Sequence, residues 1–362
     1  RHVAIARQHG IYLFLSPYWG HEIRFHSNWG LGEEDNSYSA VFWEDNLRQA
    51  YKDWFSAIYG TVNPYTGVAI KDDPAVAIIQ VHNEDSLFFW TFNFLSGRQR
   101  AVIGSKFAQW AETEHGSLER AREAWGGGID GDDWDAGVLS VVGLDRLMNP
   151  AGGTMENRYR DQLRFMIETQ RDFYDEMRRH LRDTVGCKQL LNASNWKTAS
   201  TATLEDIERY TYAGLEVMAV NRFVTGPHVG EAPGWRLQAG DYFKPLSVLK
   251  DPLALPVSVR MPKGRPFMIT ETTWVYPNRW QAEGPFLAAA YMGLTGFDSA
   301  FFFNADSMSW KTDPSINDHP GNMHKWHGMV PQIIGQYPAT ALVHRLGYVT
   351  EAKRAAVLQK RN

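Results

Sequence analysis

Two glutamates stand where an apolar run gives way to polar chain. In Ile79-Gln80-Val81-His82-Asn83-Glu84-Asp85-Ser86 the run ends in Asn-Glu, and in Phe267-Met268-Ile269-Thr270-Glu271-Thr272-Thr273-Trp274 it ends in Thr-Glu. A carboxylate among apolar neighbours is partly desolvated, a costly placement that marks a candidate functional group. Acid-assisted displacement at an acetal carbon needs two such groups. One holds a proton for the departing oxygen; the other is ionised and faces the carbon. Taken singly, either motif could be a capped loop. Their pairing carries the reading.

The elements that would position them follow from periodicity. Short β-rich runs occur at Ile11–Leu15, Ala75–Val81, Lys188–Ala193, Leu215–Val220, Pro266–Thr270 and Asp298–Phe303. Most are apolar throughout, as parallel strands covered on both faces should be. Helix-period segments alternate with them, which predicts a parallel sheet with crossover helices. One helix places Trp43, Leu47, Tyr51, Trp54 and Ile58 on a single face; a longer one, about 156–183, does the same with Tyr159, Leu163, Met166, Phe173, Met177 and Leu181. Residues 85–155 and 221–265 are too long for simple connections, and each leaves the C-terminal end of a strand. Barrel enzymes build their sites at that end.

Composition narrows the function classes. A formal net charge of -4 over 362 residues offers no basic surface for nucleic acid or an anionic membrane. No apolar run approaches the roughly 20 residues of a membrane span. The single cysteine, Cys187, excludes an internal disulfide framework and reads as a buried, inert thiol. Fourteen Trp and fifteen Tyr are an excess, and several fall in Gly/Pro/Asn-rich stretches: Trp19, Trp29, Trp274, Tyr276, Trp280 and Trp310. Loop aromatics of this kind suit stacking on sugar faces.

Taken together, the two glutamates resemble those of clan A of the glycoside hydrolases, the retaining (β/α)8-barrel group that includes cellulase-like family 5 and family 2 β-galactosidases. In that clan the acid/base is a Glu preceded by Asn after the fourth strand, and the nucleophile is a Glu after the seventh. Two strand runs, Lys188–Ala193 and Leu215–Val220, lie between Glu84 and Glu271, which agrees with that count. Asn63-Pro64-Tyr65-Thr66-Gly67 ahead of Asp73-Pro74-Ala75-Val76-Ala77 is similar to bacterial members, as are Asn278, Trp280 and Glu283 ahead of the helix at Ala288–Leu294. The resemblance extends over about residues 10–346 and fixes no single family.

It implies a TIM barrel with long insertions after the fourth and sixth strands. Residues 1–346 would be the catalytic domain, with 85–155 an inserted helical subdomain. The runs Gly347-Tyr348-Val349 and Ala355-Ala356-Val357-Leu358 would open a C-terminal β segment or linker within 347–362. By the same count Ile11–Leu15 is the third strand, so the first two are expected upstream of Arg1, within roughly 50–100 residues. The resemblance further implies Glu84 as acid/base, Glu271 as nucleophile, and Asn83 on the sugar 2-hydroxyl. His82, Trp19, Trp274 and Tyr276 would lie at the substrate, with Trp310 as a platform beneath the reacting sugar. Many clan members carry a His or Tyr near the end of the sixth strand; here Val220-Asn221-Arg222-Phe223 stands there, so Asn221 or Tyr276 would have to orient the nucleophile.

The expected substrate is a β-linked poly- or oligosaccharide. No metal or organic cofactor is required, and a secreted or periplasmic bacterial setting is favoured. Two rivals remain: a barrel that binds sugar without turnover, and a transglycosylase with the same residues. Several other constellations are set aside. His21 and His26 are five apart rather than four and do not share a helix face. His319, His324 and His327 lie close in sequence and could bind a metal, which is the less favoured reading. Asp130-Gly131-Asp132-Asp133-Trp134-Asp135 is carboxylate-dense but lacks EF-hand spacing. Gly126-Gly127-Gly128 follows no strand and has no P-loop lysine. Asp85 and Ser86 read as loop and helix-cap residues.

Overall fold

The alternation of apolar runs with amphipathic segments produces parallel strands joined through helices. The computed structural model describes residues 1–22, 27–150, 152–230, 240–304, 325–326, 328, 330–353 and 357. The chain divides into two units, Arg1–Met218 and Ala219–Asn362.

In the first unit the elements run α1 (His2–Gln8), β1 (Leu13–Leu15), α2 (Asp45–Gly60), β2 (Val76–Gln80), α3 (Gly97–His115), α4 (Leu118–Ala124), α5 (Leu144–Met148), α6 (Met155–Arg179), β3 (Leu190–Asn192) and α7 (Glu205–Thr211). The strands form a parallel sheet in the order β1-β2-β3. Register places Leu13 opposite Val76 and Gln80 opposite Asn192. Polar side chains close the C-terminal end of this sheet. The Ser16 hydroxyl donates to Gln80 Oε1. Gln80 Nε2 donates to Asn192 Oδ1 at 2.9 Å, and Asn192 Nδ2 donates to the Val217 carbonyl at 3.0 Å. Gln80 and Asn192 are wholly buried, so this row of amides is affordable only because the chain of bonds continues from strand to strand.

Helix α2 packs through Leu47, Tyr51, Phe55 and Tyr59. The expected stripe had Trp54 and Ile58 instead; Trp54 is exposed, and Trp43 is buried just ahead of the helix. Both sets fit a 3.6-residue period, and packing selects the one spaced strictly by four. Tyr51 reaches the end of β2, its hydroxyl donating to the Val81 carbonyl at 2.5 Å. Helix α6 buries Tyr159, Met166, Phe173 and Met177 of its expected stripe and continues into a π-helical turn, His180–Val185, where Leu181 is also buried.

The segment between β2 and α6 carries α3, α4 and α5. Ser96 and Gln99 form a capping box at the start of α3. Gly104 on α3 lies so close to the 138–142 loop that a Cβ there would stand 2.6 Å from the Leu139 carbonyl oxygen. Arg158 of α6 is wholly buried and donates to both oxygens of Asp132, at 2.7 and 3.0 Å, and to the Ser140 carbonyl. Its guanidinium also lies 4.8 Å from the centroid of the Trp125 ring. The Asp-rich loop is therefore organised by an arginine.

The second unit contains β4 (Met218–Asn221, beginning at the boundary), the antiparallel pair β5 (His228–Val229) and β6 (Tyr242–Phe243), β7 (Phe267–Thr272), α8 (Gly284–Thr295), β8 (Ser299–Phe302), α9 (Pro331–Ile334) and α10 (Tyr337–Arg345). The second parallel sheet has the order β4-β7-β8. Glu283 ties down the loop before β7, accepting from the Ser247 hydroxyl at 2.6 Å and the Val248 N–H at 2.9 Å. Gly347-Tyr348-Val349, expected as a strand, is coil that returns to α8, where Ala352 N–H donates to the Leu294 carbonyl at 2.8 Å.

All six expected strand runs form strands, giving a mixed α/β fold. Among the described residues they make two three-stranded parallel sheets. A closed eight-stranded barrel is more than these strands show.

Candidate active site

In the first unit three strand ends converge on Asn83 and Glu84. The Asn83 N–H donates to the Tyr18 carbonyl at 2.9 Å, pairing the chain after β2 with Trp19 after β1. Asn195, three residues past β3, accepts from the Glu84 N–H through Oδ1 at 3.0 Å. Its Nδ2 donates to Asn83 Oδ1 at 2.9 Å. Glu84 itself has φ +48. A non-glycine residue in the left-handed region costs about 1–3 kcal/mol and persists only where its surroundings hold it. Here the Asn195 side chain holds it, and Asn83 and Glu84 are both half-buried at the surface of the sheet end.

Aromatic rings flank these residues. Trp19 stacks on His21 with centroids 4.7 Å apart. Trp196 follows Asn195 directly and meets Phe89 edge-on at 4.9 Å, with the Lys197 ammonium 5.7 Å from the Trp196 ring. Trp19 and Trp196 are both partly exposed.

Below Glu84 is a buried polar layer. His82 is fully enclosed by Tyr18, Phe42 and Phe173, so burial pushes its imidazole down to about 3 and keeps it neutral. Its Nε2 lies 3.4 Å from Asp85 Oδ2, but neither ring nitrogen has hydrogen-bond geometry to a partner. His82, expected at the substrate, is thus a supporting ring beneath the loop. Asp85 is wholly buried too. Burial pushes its carboxyl up to about 8, against hydrogen bonds from the Ser39 and Ser86 N–H groups that pull the other way; the nearby Glu208 adds to the rise. Ser86 Oγ donates to Glu208 Oε2 at 2.5 Å, and Gln170 Nε2 donates to the same oxygen at 3.0 Å. The Tyr212 hydroxyl takes the other oxygen of Glu208. Asp85 and Ser86, expected as loop and cap residues, are interior groups that fix the turn bearing Glu84.

In the second unit Glu271 is the fifth residue of β7, at its C-terminal end and half-buried. Its carbonyl accepts from the Arg222 N–H at 2.9 Å, and the Val224 N–H donates to the Thr273 carbonyl at 3.0 Å. Asn221 at the end of β4 is buried, and its Oδ1 accepts from the Thr270 hydroxyl at 2.8 Å. Asn221 therefore holds the residue before Glu271. Phe223 faces Phe303 and Trp326, each with centroids 6.1 Å away, so these rings gather at the ends of β4 and β8.

Two further expected aromatics follow β7. Trp274 is fully buried, its ring pressed on Gly284, where a Cβ would stand 2.7 Å from the indole. Tyr276 packs against Val330 and Ile333, and burial raises its hydroxyl. Trp310, His26, His319, His324 and His327 lie outside the described residues.

Three solved structures share this architecture. The agarase AgWH50C aligns over 96% of this chain and 45% of its own, with a TM-score of 0.54 and 13% identity. An exo-beta-agarase aligns over 96% and 43%, with a TM-score of 0.53 and 12% identity. PfGH50B aligns over 92% and 45%, with a TM-score of 0.52 and 9% identity. The structural neighbours are glycoside hydrolases, and the chain has their fold. At such identities the likeness is one of fold alone, and the chain spans less than half the length of each of the three. No protein-family model matches the chain, and no curated protein sequence does.

Asn195 and Trp196 were not among the expected site residues. Their signal was present: they follow the run Lys188–Ala193 much as Asn83 and Glu84 follow theirs. Asn and Trp carry no titratable group, so their types alone point to no proton transfer. Cys187 is buried, and burial pushes its thiol up to about 11, away from nucleophile chemistry.

Proposed function

We propose that this chain is the catalytic core of a retaining glycoside hydrolase that cleaves β-linkages in a poly- or oligosaccharide, its strands belonging to a (β/α)8 barrel. The observation that carries the reading is the left-handed Glu84, held through Asn195 at a strand end beside Trp19, in a chain with a glycoside hydrolase fold. Strained carboxylate turns of this kind concentrate at functional sites.

In this reading Glu84 gives its proton to the glycosidic oxygen as the bond from that oxygen to the anomeric carbon breaks. Glu271 attacks the same carbon and forms a glycosyl ester. Glu84, now ionised, takes a proton from water; the hydroxide oxygen bonds to the anomeric carbon and Glu271 leaves as carboxylate. Asn83 holds the 2-hydroxyl, a contact that tightens as charge develops. Trp19 and Trp196 supply ring faces for neighbouring sugars.

The test is hydrolysis of a panel containing agarose, other galactans, β-glucans and mannans, with reducing ends counted for the wild type and Glu271→Gln. Agarose belongs in the panel because two of the neighbours are agarases. Turnover on one member that Glu271→Gln abolishes supports the reading. A folded wild type inert on all of them, or a Glu271→Gln variant as fast as wild type, overturns it. Product analysis with added sugar acceptors separates hydrolysis from transglycosylation.

A further inference from the structure

We infer that Asn195 is a positioning residue that sets the hydrogen-bonding polarity of Asn83, so that Asn83 meets its ligand as a donor. The inference rests on the proposed glycosidase reading and deepens it at one contact. A backbone N–H can only donate. The atom of Asn195 that faces the Glu84 N–H must therefore be its carbonyl oxygen, Oδ1, at 3.0 Å. That fixes the rest of the Asn195 amide: Nδ2 faces Asn83 at 2.9 Å and must donate. The Asn83 atom that receives it is in turn the oxygen. The Asn83 Nδ2 is left over, on a half-buried side chain, and among the described residues it has no protein acceptor.

One main-chain N–H thus dictates the orientation of two amides in series. Asn195 is almost wholly buried and both ends of its amide are engaged, so the relay has little room to reverse. The ligand group that the Asn83 Nδ2 meets is an acceptor. A sugar 2-hydroxyl oxygen fits, with its own proton free to point elsewhere. The same Asn195 side chain restrains the Glu84 main chain at φ +48, so one residue sets both the acid's turn and the polarity beside it.

The test compares a good substrate from the panel with its 2-deoxy analogue. In the wild type the ratio of their kcat/KM values reports the Asn83 contact. Asn195→Leu should slow both substrates, by up to about 100-fold for a misplaced acid. It should also shrink the ratio by about tenfold, because Asn83 is no longer oriented. Asn83→Ala should shrink the ratio as much, and adding Asn195→Leu to it should shrink the ratio no further. A purely structural role would slow both substrates alike and leave the ratio unchanged, which overturns the inference. If Asn195→Leu does not fold, Asn195→Ser carries the same comparison. Crystal structures of the variant separate the two levels of the argument. If no panel substrate is turned over, a released Glu84 turn and reoriented Asn83 in the variant still support the relay. Unchanged conformations overturn it whatever the activity.

Discussion

The backbone N–H of Ser39 donates to Oδ2 of Asp85 at 2.6 Å, which ties Ser39 to the residue that follows Glu84. Ser39 has φ +59 and Glu84, immediately before Asp85, has φ +48; among the described residues they are the two non-glycines with positive φ. A single buried carboxyl group is thus linked to both. Its second oxygen accepts from the Ser86 N–H at 2.8 Å. The turn bearing the proposed acid is anchored from below by Asp85 and from the side by Asn195.

The protonation of Asp85 makes stability pH-dependent in a defined direction. Its carboxyl is raised from 3.8 to about 8 on folding, so its contribution is fully present below about pH 3.8 and is lost as pH rises to about 8. His82 is lowered from 6.5 to about 3, so its contribution is present above pH 6.5 and lost as pH falls to about 3. Between about pH 3.8 and 6.5 the two oppose each other. Between pH 6.5 and 8 the Asp85 effect acts without that opposition, and stability should fall with a slope of up to about 1.4 kcal/mol per pH unit. Thermal melts across that interval should show the fall in the wild type and a flatter line for Asp85→Asn. A slope unchanged in the variant would assign it to other groups.

The proposed division of labour between the glutamates has its own signature. Glu84→Ala should keep turnover on aryl glycosides with good leaving groups, because the acid matters least there, and added azide should raise it. Glu271→Ala should lose turnover on every substrate, by about 10⁴-fold or more. Equal loss in both variants, with no azide effect, would contradict the assignment.

A crystal structure supplies a geometric check. A retaining pair needs carboxyl groups roughly 5–5.5 Å apart. A separation beyond about 7 Å would point to inversion or to a different partner for Glu84.

Trp196 offers a test of the substrate's size. If its ring stacks on a sugar, Trp196→Ala should raise KM for an oligosaccharide by about three- to tenfold, the worth of one aromatic contact. The effect on a small aryl glycoside should be much less. An equal effect on both would place the ring beside the reacting sugar.

How far the sequence reveals all this depends on what each feature needs. The strands are legible because a run such as Val76-Ala-Ile-Ile suits little else, and a glutamate closing such a run stands out. The phase of α2 is not legible: Leu47 and Tyr51 are shared by two stripes, and only the neighbours decide between Trp54 and Phe55. Trp274 and Trp196 look alike in sequence, each an aromatic just past a strand. What separates them is Gly284, which lets a helix close over the Trp274 ring. The Asn195 relay is invisible too, since it exists only once two strands lie side by side. Gly347–Val349 has strand-like residues but meets α8 as coil.

Arg158 gives a stability prediction remote from the proposed chemistry. Arg158→Ala leaves Asp132 buried without its counter-charge and should destabilise the protein by about 3–5 kcal/mol, readable as a lower denaturant midpoint. Loss of less than about 1 kcal/mol would mean that Asp132 finds other partners.

An acidic loop in many proteins is completed by a dissolved cation, and its order then varies with the composition of the medium. In this chain the positive charge that completes Asp132 is covalently attached, carried on α6 and delivered whenever that helix packs. Chelators have nothing to withdraw from that pair, and dilution cannot empty it. The order of the loop around Asp132 is to that extent inherited rather than supplied.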